Sequence, residues 1–168
     1  MAPEINVRQA APGDAGQVVA LLGEAARWLE EAGTPMWKTR ELDPTVISAD
    51  VGAGLCFLAE ITGEAAGTMK FQLEDELFWP DLAKGEACYV HRLAVRRRFA
   101  GMGVSSALLA FAAVRARSLG RAYLRLDCES NRARLRTLYE RFGFRHHSER
   151  QVGPYHVARF EYALAAPP

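Results

Sequence analysis

The densest chemistry in the chain sits at one turn. Arg98-Phe99-Ala100-Gly101-Met102-Gly103 follows an apolar run from Cys88 to Val95 and precedes a helical stretch ending near Ser118. Glycines at 101 and 103 let backbone N–H groups converge on an anion, because no Cβ blocks close approach. The helix that follows aims its positive end at the same point. Arg92, Arg96, Arg97 and Arg98 bring full charges nearby. This is the makeup of a pyrophosphate cradle, although a Gly-containing turn with solvated arginines would carry the same residues. No Gly-Lys-Ser/Thr follows the glycines, which excludes a Walker loop. Asp127 ends the next strand, as a ribose-binding acid would. Yet Ser106 stands where a Rossmann fingerprint needs its third glycine, and the 65 residues after Gly103 are too few for a two-halved dinucleotide sheet.

The rest of the chain must position that turn. Its 168 residues are 49% hydrophobic and 24% charged, enough apolar content for a core and too much for a disordered chain. With 21 Lys+Arg against 20 Asp+Glu, the net charge of +1 lacks the footprint of a general nucleic-acid binder. Lys38, Lys70 and Lys84 are the only lysines among those basic residues. Arginine is the better bidentate phosphate ligand. Cys56, Cys88 and Cys128 are far apart and flanked by apolar residues, reading as buried thiols of a reducing compartment. No run approaches the ~18 apolar residues of a membrane span. Met1 to Val7 lacks the pattern of a signal peptide. The expectation is a soluble, cytoplasmic protein without a membrane or nucleic-acid partner.

Periodicity predicts a first strand over Ile5–Gln9. A helix follows from about Ala15, with Asp14 as N-cap and Val18, Leu21, Leu22, Ala25 and Leu29 as its apolar stripe. A short helix follows Asp43-Pro44. Leu55–Ile61 and Ala66–Leu73 form two strands joined at Thr62-Gly63-Glu64. After the strand from Cys88 to Val95, a helix runs to Ser118 with Val104, Ala107, Leu108, Phe111 and Val114 inward, and Gly120 caps its end. Tyr123–Cys128 is a strand, and Asn131 opens a helix carrying Leu135, Leu138, Tyr139 and Phe142. Strands near Phe144–Glu149 and Tyr155–Leu164 close the chain. This order predicts an α/β fold with a mixed sheet and helices on both faces, as one domain over 1–168 with its core at about 5–164.

Three stretches together carry a family resemblance. The strand Tyr89-Val90-His91-Arg92-Leu93-Ala94-Val95, the loop Arg98-x-x-Gly101-x-Gly103, and Asn131…Leu138-Tyr139-Glu140-Arg141-Phe142-Gly143-Phe144 resemble the GCN5-related N-acetyltransferase (GNAT) superfamily. The loop resembles its acetyl-CoA signature, and the Asn…Leu-Tyr-Glu-x-x-Gly-Phe stretch resembles its second cofactor motif. Order and spacing match, and the element order fits essentially the whole chain. The resemblance implies a central, largely antiparallel mixed sheet flanked by helices, with a splayed strand pair holding acetyl-CoA. Backbone groups of Leu93, Ala94 and Val95 would bind pantetheine, one N–H acting as oxyanion stabiliser. Backbone N–H groups from Arg98 through Phe99, Ala100, Gly101, Met102 and Gly103 to Val104 would hold the pyrophosphate. Asn131 would bond the cofactor arm, and Tyr139 would sit beside the thioester sulfur. Many members carry Arg at position 100 and Gly at 105, where this chain has Ala100 and Ser105. The two core glycines remain, and Ser105 can itself donate a hydrogen bond.

Acetyl transfer to an amine sets its own requirements. A lysine-type amine, with pKa near ~10.4, must lose a proton before or during attack. The departing CoA thiolate, of thiol pKa about 8.5, is helped by a nearby acid. Tyr139 suits that acid, although Leu135, Leu138 and Phe142 on its stripe would equally suit a core tyrosine. For the base, His91 is expected on the same strand face as Leu93 and Val95, and it resembles the strand histidine of the arylalkylamine branch. Glu86 resembles the glutamate of other branches, and a water chain is the third option. His146, His147 and His156 have no ligand spacing, so no metal is expected.

The resemblance implies that acceptor specificity comes from the first helix, the segment after it and the loops over the cleft, which here contribute Trp28, Trp37, Phe78 and Trp79 beside Glu74, Asp75, Glu76 and Asp81, a combination suited to a cationic amine. A solvated loop tip with core-packed aromatics fits the same residues. The expected function is N-acetyltransfer from acetyl-CoA to a primary amine of a small molecule or peptide, by direct attack in a ternary complex with CoA as product. The alternative is a catalytically silent acyl-CoA-binding or regulatory module. Oligomeric state is not set by the sequence, a homodimer being one option.

Overall fold

The computed structural model of the protein describes residues 1–165. Seven strands are ordered β1-β2-β3-β4-β5-β7-β6, the mixed α/β architecture expected above. The chain divides into two compact units, Met1–Lys70 with Arg92–Leu108 and Phe71–His91 with Leu109–Pro168. The division passes through β3, β4 and α3, so each unit is discontinuous in sequence.

In the first unit, β1 (Ile5–Gln9) pairs antiparallel with β2 (Cys56–Ile61), from Ile5↔Ile61 to Gln9↔Phe57. β2 pairs antiparallel with β3 (Glu64–Gln72) through the two-residue turn Thr62-Gly63. Both turn residues have positive φ, 50° and 80°, which matches the right-handed twist of the hairpin. The helices α1 (Ala15–Glu31) and α2 (Pro44–Gly52) bury Val18, Leu21, Leu22, Ile47 and Val51. These join Cys56, Leu58, Ala65 and Ala94 in one core. Asp43 caps α2 by accepting from Thr45 N–H at 2.8 Å. Asp14 does not cap α1 as expected: its carboxylate accepts from Ala11 N–H and is gripped by Arg8, closing the 3-10 turn Pro12–Asp14 instead.

Here also β4 (Ala87–Val95) ends and α3 (Val104–Ser118) begins. Arg96 N–H donates to Ala66 O at 2.8 Å. A Cβ on Gly67 would lie 2.6 Å from Val104 Cγ1 and 3.0 Å from Ala94 O, so β3 needs glycine where the start of α3 crosses it. The buried face of α3 differs from the expected one. Val104, Leu108, Leu109, Ala112, Ala113 and Ala116 are buried, while Ala107 and Phe111 are half-buried and Val114 is 62% exposed. The buried face thus runs through Ala112, Ala113 and Ala116, small residues that a periodicity of large side chains does not mark.

In the second unit, β5 (Tyr123–Glu129) pairs antiparallel with β7 (Tyr155–Ala163) over its whole length, and β7 pairs antiparallel with β6 (Arg145–Val152). β4 pairs with β5 in parallel over Ala87↔Tyr123, Cys88↔Leu124 and Tyr89↔Arg125. The helix α4 (Ala133–Phe142) starts two residues later than expected, leaving Asn131 exposed in the preceding turn. Of its stripe Tyr139 is buried, and Leu135, Leu138 and Phe142 are half-buried. Gly143 ends α4 with φ 122°. Among the described residues no helix is long and apolar enough to cross a membrane. Cys56, Cys88 and Cys128 are free and buried.

Candidate active site

The turn after β4, in the first unit, has the backbone of an anion cradle. Gly101 and Gly103 take φ of 78° and 86°, conformations costly for any residue with a side chain. A Cβ at Gly101 would meet nothing within 4 Å, so the glycine keeps open the space in front of the turn. Three of the expected donors are used inside the turn. Phe99 N–H donates to Arg96 O, Ala100 N–H to Arg97 O and Met102 N–H to Phe99 O, at 2.9, 3.1 and 3.2 Å. The groups left to face an anion are Gly101, Gly103 and the first turn of α3 at Val104 and Ser105, where helical N–H groups have no intrahelical acceptor.

The arginines around the turn do not supply free charge as the sequence suggested. Arg92 is paired with Asp50 at 2.7 Å, and Asp50 also holds Lys70 at 3.1 Å. Arg96 is paired with Glu24 at 2.9 Å, Arg97 lies 4.0 Å over the Trp28 ring, and Arg98 is paired with Glu64. The attraction for an anion therefore rests on backbone dipoles more than on side-chain charge. Arg92 itself sits at φ 50°, a strained conformation for a non-glycine residue in a strand. Ala94 is buried, with Leu93 and Val95 half-buried on either side.

In the second unit, His91 Nε2 meets Asp75 Oδ2 at 2.7 Å. Asp75 lies in the acidic loop before β4 and also accepts from the N–H groups of Phe78 and Leu77 at 2.9 and 3.1 Å. Burial works to raise the Asp75 carboxyl, and the His91 bond with the two N–H donors more than offsets it, leaving Asp75 below the usual carboxylate range. An ionised carboxylate only accepts. Its partner Nε2 therefore carries the proton, and Nδ1 of a neutral His91 is the free base. The Phe78 ring lies 5.8 Å from the imidazole.

Asp127, on β5, joins this pair: the ligand atoms of Asp75, His91 and Asp127 lie within 4.8 Å of one another. Burial pushes the Asp127 carboxyl up to about 6, opposed by the nearby His91 and reinforced by Asp75. The Trp79 indole N–H is near enough to favour the Asp127 charge but short of bonding geometry. Trp79 Nε1 and Asp127 Oδ2 are both buried without a hydrogen bond. The sequence signal for Asp127 was a charged residue inside a central strand, between Leu126 and Cys128. Asp75 had none beyond its acidic neighbours, because its partner is 16 residues away.

The remaining candidates fall elsewhere. Glu86 precedes β4 and pairs with the buried Arg125 at 2.9 Å, and Arg125 also bonds Glu161. Five residues of extended strand, about 17 Å, separate Glu86 from His91. Tyr139 is 5% exposed and packs against Phe144 and Phe160, and burial raises its hydroxyl far above the usual tyrosine range. The acidic loop is largely neutralised from within. Arg159 holds Asp81, Lys84 pairs with Glu76, and Arg121 with Glu74. Trp79 is 2% exposed, so it packs in the core as the alternative reading of this loop had it.

The first unit thus holds a glycine turn at a helix start, and the second a histidine held by a carboxylate and a buried tyrosine. The model of the Acetyltransferase (GNAT) family matches residues 22–144. The chain belongs to this family. Among GNAT relatives, the uncharacterized N-acetyltransferase YesJ of Bacillus subtilis is 30% identical over 137 residues, covering 78% of this chain and 76% of YesJ. A GNAT acetyltransferase of Listeria monocytogenes superposes with a TM-score of 0.83 at 30% identity, over 96% of each chain. The structure of yncA from Salmonella typhimurium, solved with its cofactor acetyl-CoA, shares the fold with a TM-score of 0.73 at 19% identity, over 98% of each chain. The open space at Gly101 and the free N–H groups of the following helix turn fit the pyrophosphate that a GNAT protein binds.

Proposed function

We propose that this GNAT acetyltransferase transfers the acetyl group of acetyl-CoA to a primary amine of a small molecule or peptide, by direct attack in a ternary complex. The observation that carries this reading is the His91–Asp75 pair at 2.7 Å on the strand that leads into Leu93–Val95. Acetyl-CoA supplies an activated acetyl thioester. Backbone groups of Leu93, Ala94 and Val95 bind its pantetheine arm, and Gly101, Gly103, Val104 and Ser105 bind its pyrophosphate. Asn131, exposed ahead of α4, is free to reach the cofactor arm. His91 Nδ1 takes one proton from the amine, directly or through a water, while Asp75 holds the ring and stabilises the imidazolium that forms. Tyr139 stays protonated at every physiological pH, which suits it to donate to the departing thiolate. Glu86, tied to Arg125 and distant along the strand, is the weaker candidate base. The three free, buried thiols fit a reducing cytoplasm.

The test is thiol release from acetyl-CoA across polyamines, aminoglycosides, amino acids and peptide amines. Release with at least one amine class is expected. Absence of release with all of them, while acetyl-CoA still raises the melting temperature, would establish a silent acyl-CoA-binding module instead.

A further inference from the structure

We propose that Asp75 and Asp127 form an ammonium seat, so that the acceptor binds as a primary alkylammonium bridging the two carboxylates beside the imidazole that takes its proton. This deepens the reading above and rests on it for the reaction, but the seat can be tested separately.

Geometry favours a bridging donor. Two acceptors on one tetrahedral nitrogen, each about 2.8 Å away, lie about 4.6 Å apart, and no two of the Asp75, His91 and Asp127 atoms are farther apart than 4.8 Å, a span that one nitrogen can bridge. A metal ion fits less well. Ligands at about 2.1 Å around a tetrahedral ion stand about 3.4 Å apart, whereas Asp75 and His91 bond each other directly at 2.7 Å.

Asp127 Oδ2 supplies the second, independent observation, because it is buried without a hydrogen bond. A buried carboxylate oxygen without a donor is costly, and Arg159, the arginine that acts on Asp127, is committed elsewhere. Arg159, on β7, gives its N–H groups to Asp81, Phe78 O and Ser148. Trp79 N–H does not reach bonding geometry. The charged and titratable groups facing Asp127 are Asp75 from the loop, His91 from β4, Arg159 from β7, and Cys128 and Tyr139 from β5 and α4. A cation in the seat meets two carboxylates and the His91 ring.

The proton count closes. The amine arrives as R–NH3+, gives one proton to His91 Nδ1, directly or through a water, and attacks the acetyl carbonyl as R–NH2; as the C–N bond forms and the C–S bond breaks, the second proton lost from nitrogen ends on the departing thiolate as CoA–SH. The product amide is neutral, so the seat loses its hold on it when the reaction is complete.

The experiment compares n-butylamine with aniline, which is uncharged at pH 7.5, for the wild type and Asp127→Asn. The expected result is a KM for n-butylamine raised about tenfold or more in the variant, as for a lost charged hydrogen bond, with the KM for acetyl-CoA unchanged and the preference for n-butylamine over aniline lost. An unchanged n-butylamine KM, or a wild-type preference for aniline, would overturn the seat while leaving acetyl transfer intact. Calorimetry of the CoA-loaded wild type with n-butylammonium and with n-butanol decides the seat without turnover. Ammonium binding that exceeds alcohol binding at pH 7.5 and falls at pH 5, as Asp127 takes up its proton, supports it. Equal binding of the two, or no fall at pH 5, refutes it. If no amine is acetylated but Asp127-dependent ammonium binding persists, the seat stands and the N-acetyltransferase reading falls.

Discussion

Arg159 closes on Asp81 with two N–H···O contacts of 2.6 and 3.0 Å and gives a third bond to the Phe78 carbonyl. The loop that carries Asp75 is thereby anchored to β7 at the far side of Phe78. Arg159→Met should lower stability to urea by about 1–3 kcal/mol through the lost charged bonds, and lower kcat because Asp75 loses its fixed position. Asp81→Asn should cost less, about 0–1 kcal/mol, since Asp81 is 41% exposed. The Arg159 bond holds the Asp81 carboxyl down at about 2. Its contribution is full above pH ~4 and disappears as pH falls towards 2. Denaturation midpoints that do not drop for Asp81 across that window, relative to Asp81→Asn, would remove the pair from the stability of the loop.

Asp75→Asn should lower kcat at saturating amine by about 10²–10⁴-fold. An amide can offer its N–H to His91 Nε2, which moves the ring proton to Nδ1 and takes away the base. Stability should respond to acid as well. Asp75 has a depressed pKa when folded, so its contribution is present above pH ~4 and is lost on acidification. Turnover equal to wild type would show that the dyad is structural.

His91→Ala should remove the low-pH limb of the kcat/KM profile. Retention of that limb would return the proton to water or to Glu86.

Tyr139→Phe should reduce turnover by about 10²-fold with acetyl-CoA affinity unchanged. The melting temperature should hold or rise, because the buried ring keeps its contacts with Phe144 and Phe160. Unchanged turnover would leave Tyr139 as a core residue.

Acetyl-CoA should raise the melting temperature of the wild type. Gly101→Ala should weaken that shift, since a left-handed φ costs an L-residue about 1–2 kcal/mol and the new Cβ enters the cradle. No shift at millimolar acetyl-CoA would refute the cofactor site.

What was legible in the sequence shares one property: it is set within a few residues. The Thr62-Gly63 hairpin, the Asp43-Pro44 helix start and the Gly101/Gly103 turn follow from backbone preferences that no distant contact alters. The family motifs are local in the same sense. Tertiary structure decided whatever depends on partners far along the chain. Arg92 and Arg96 looked like free cations for a phosphate, yet they are taken by Asp50 and Glu24, 42 and 72 residues away. The inward face of α3 runs through Ala112, Ala113 and Ala116, which periodicity of large side chains does not encode. His91 was readable as a base from its place on β4. Its Asp75 partner and the unpaired Asp127 came together only when a loop and two strands converged, because proximity between distant residues is a property of the packed chain.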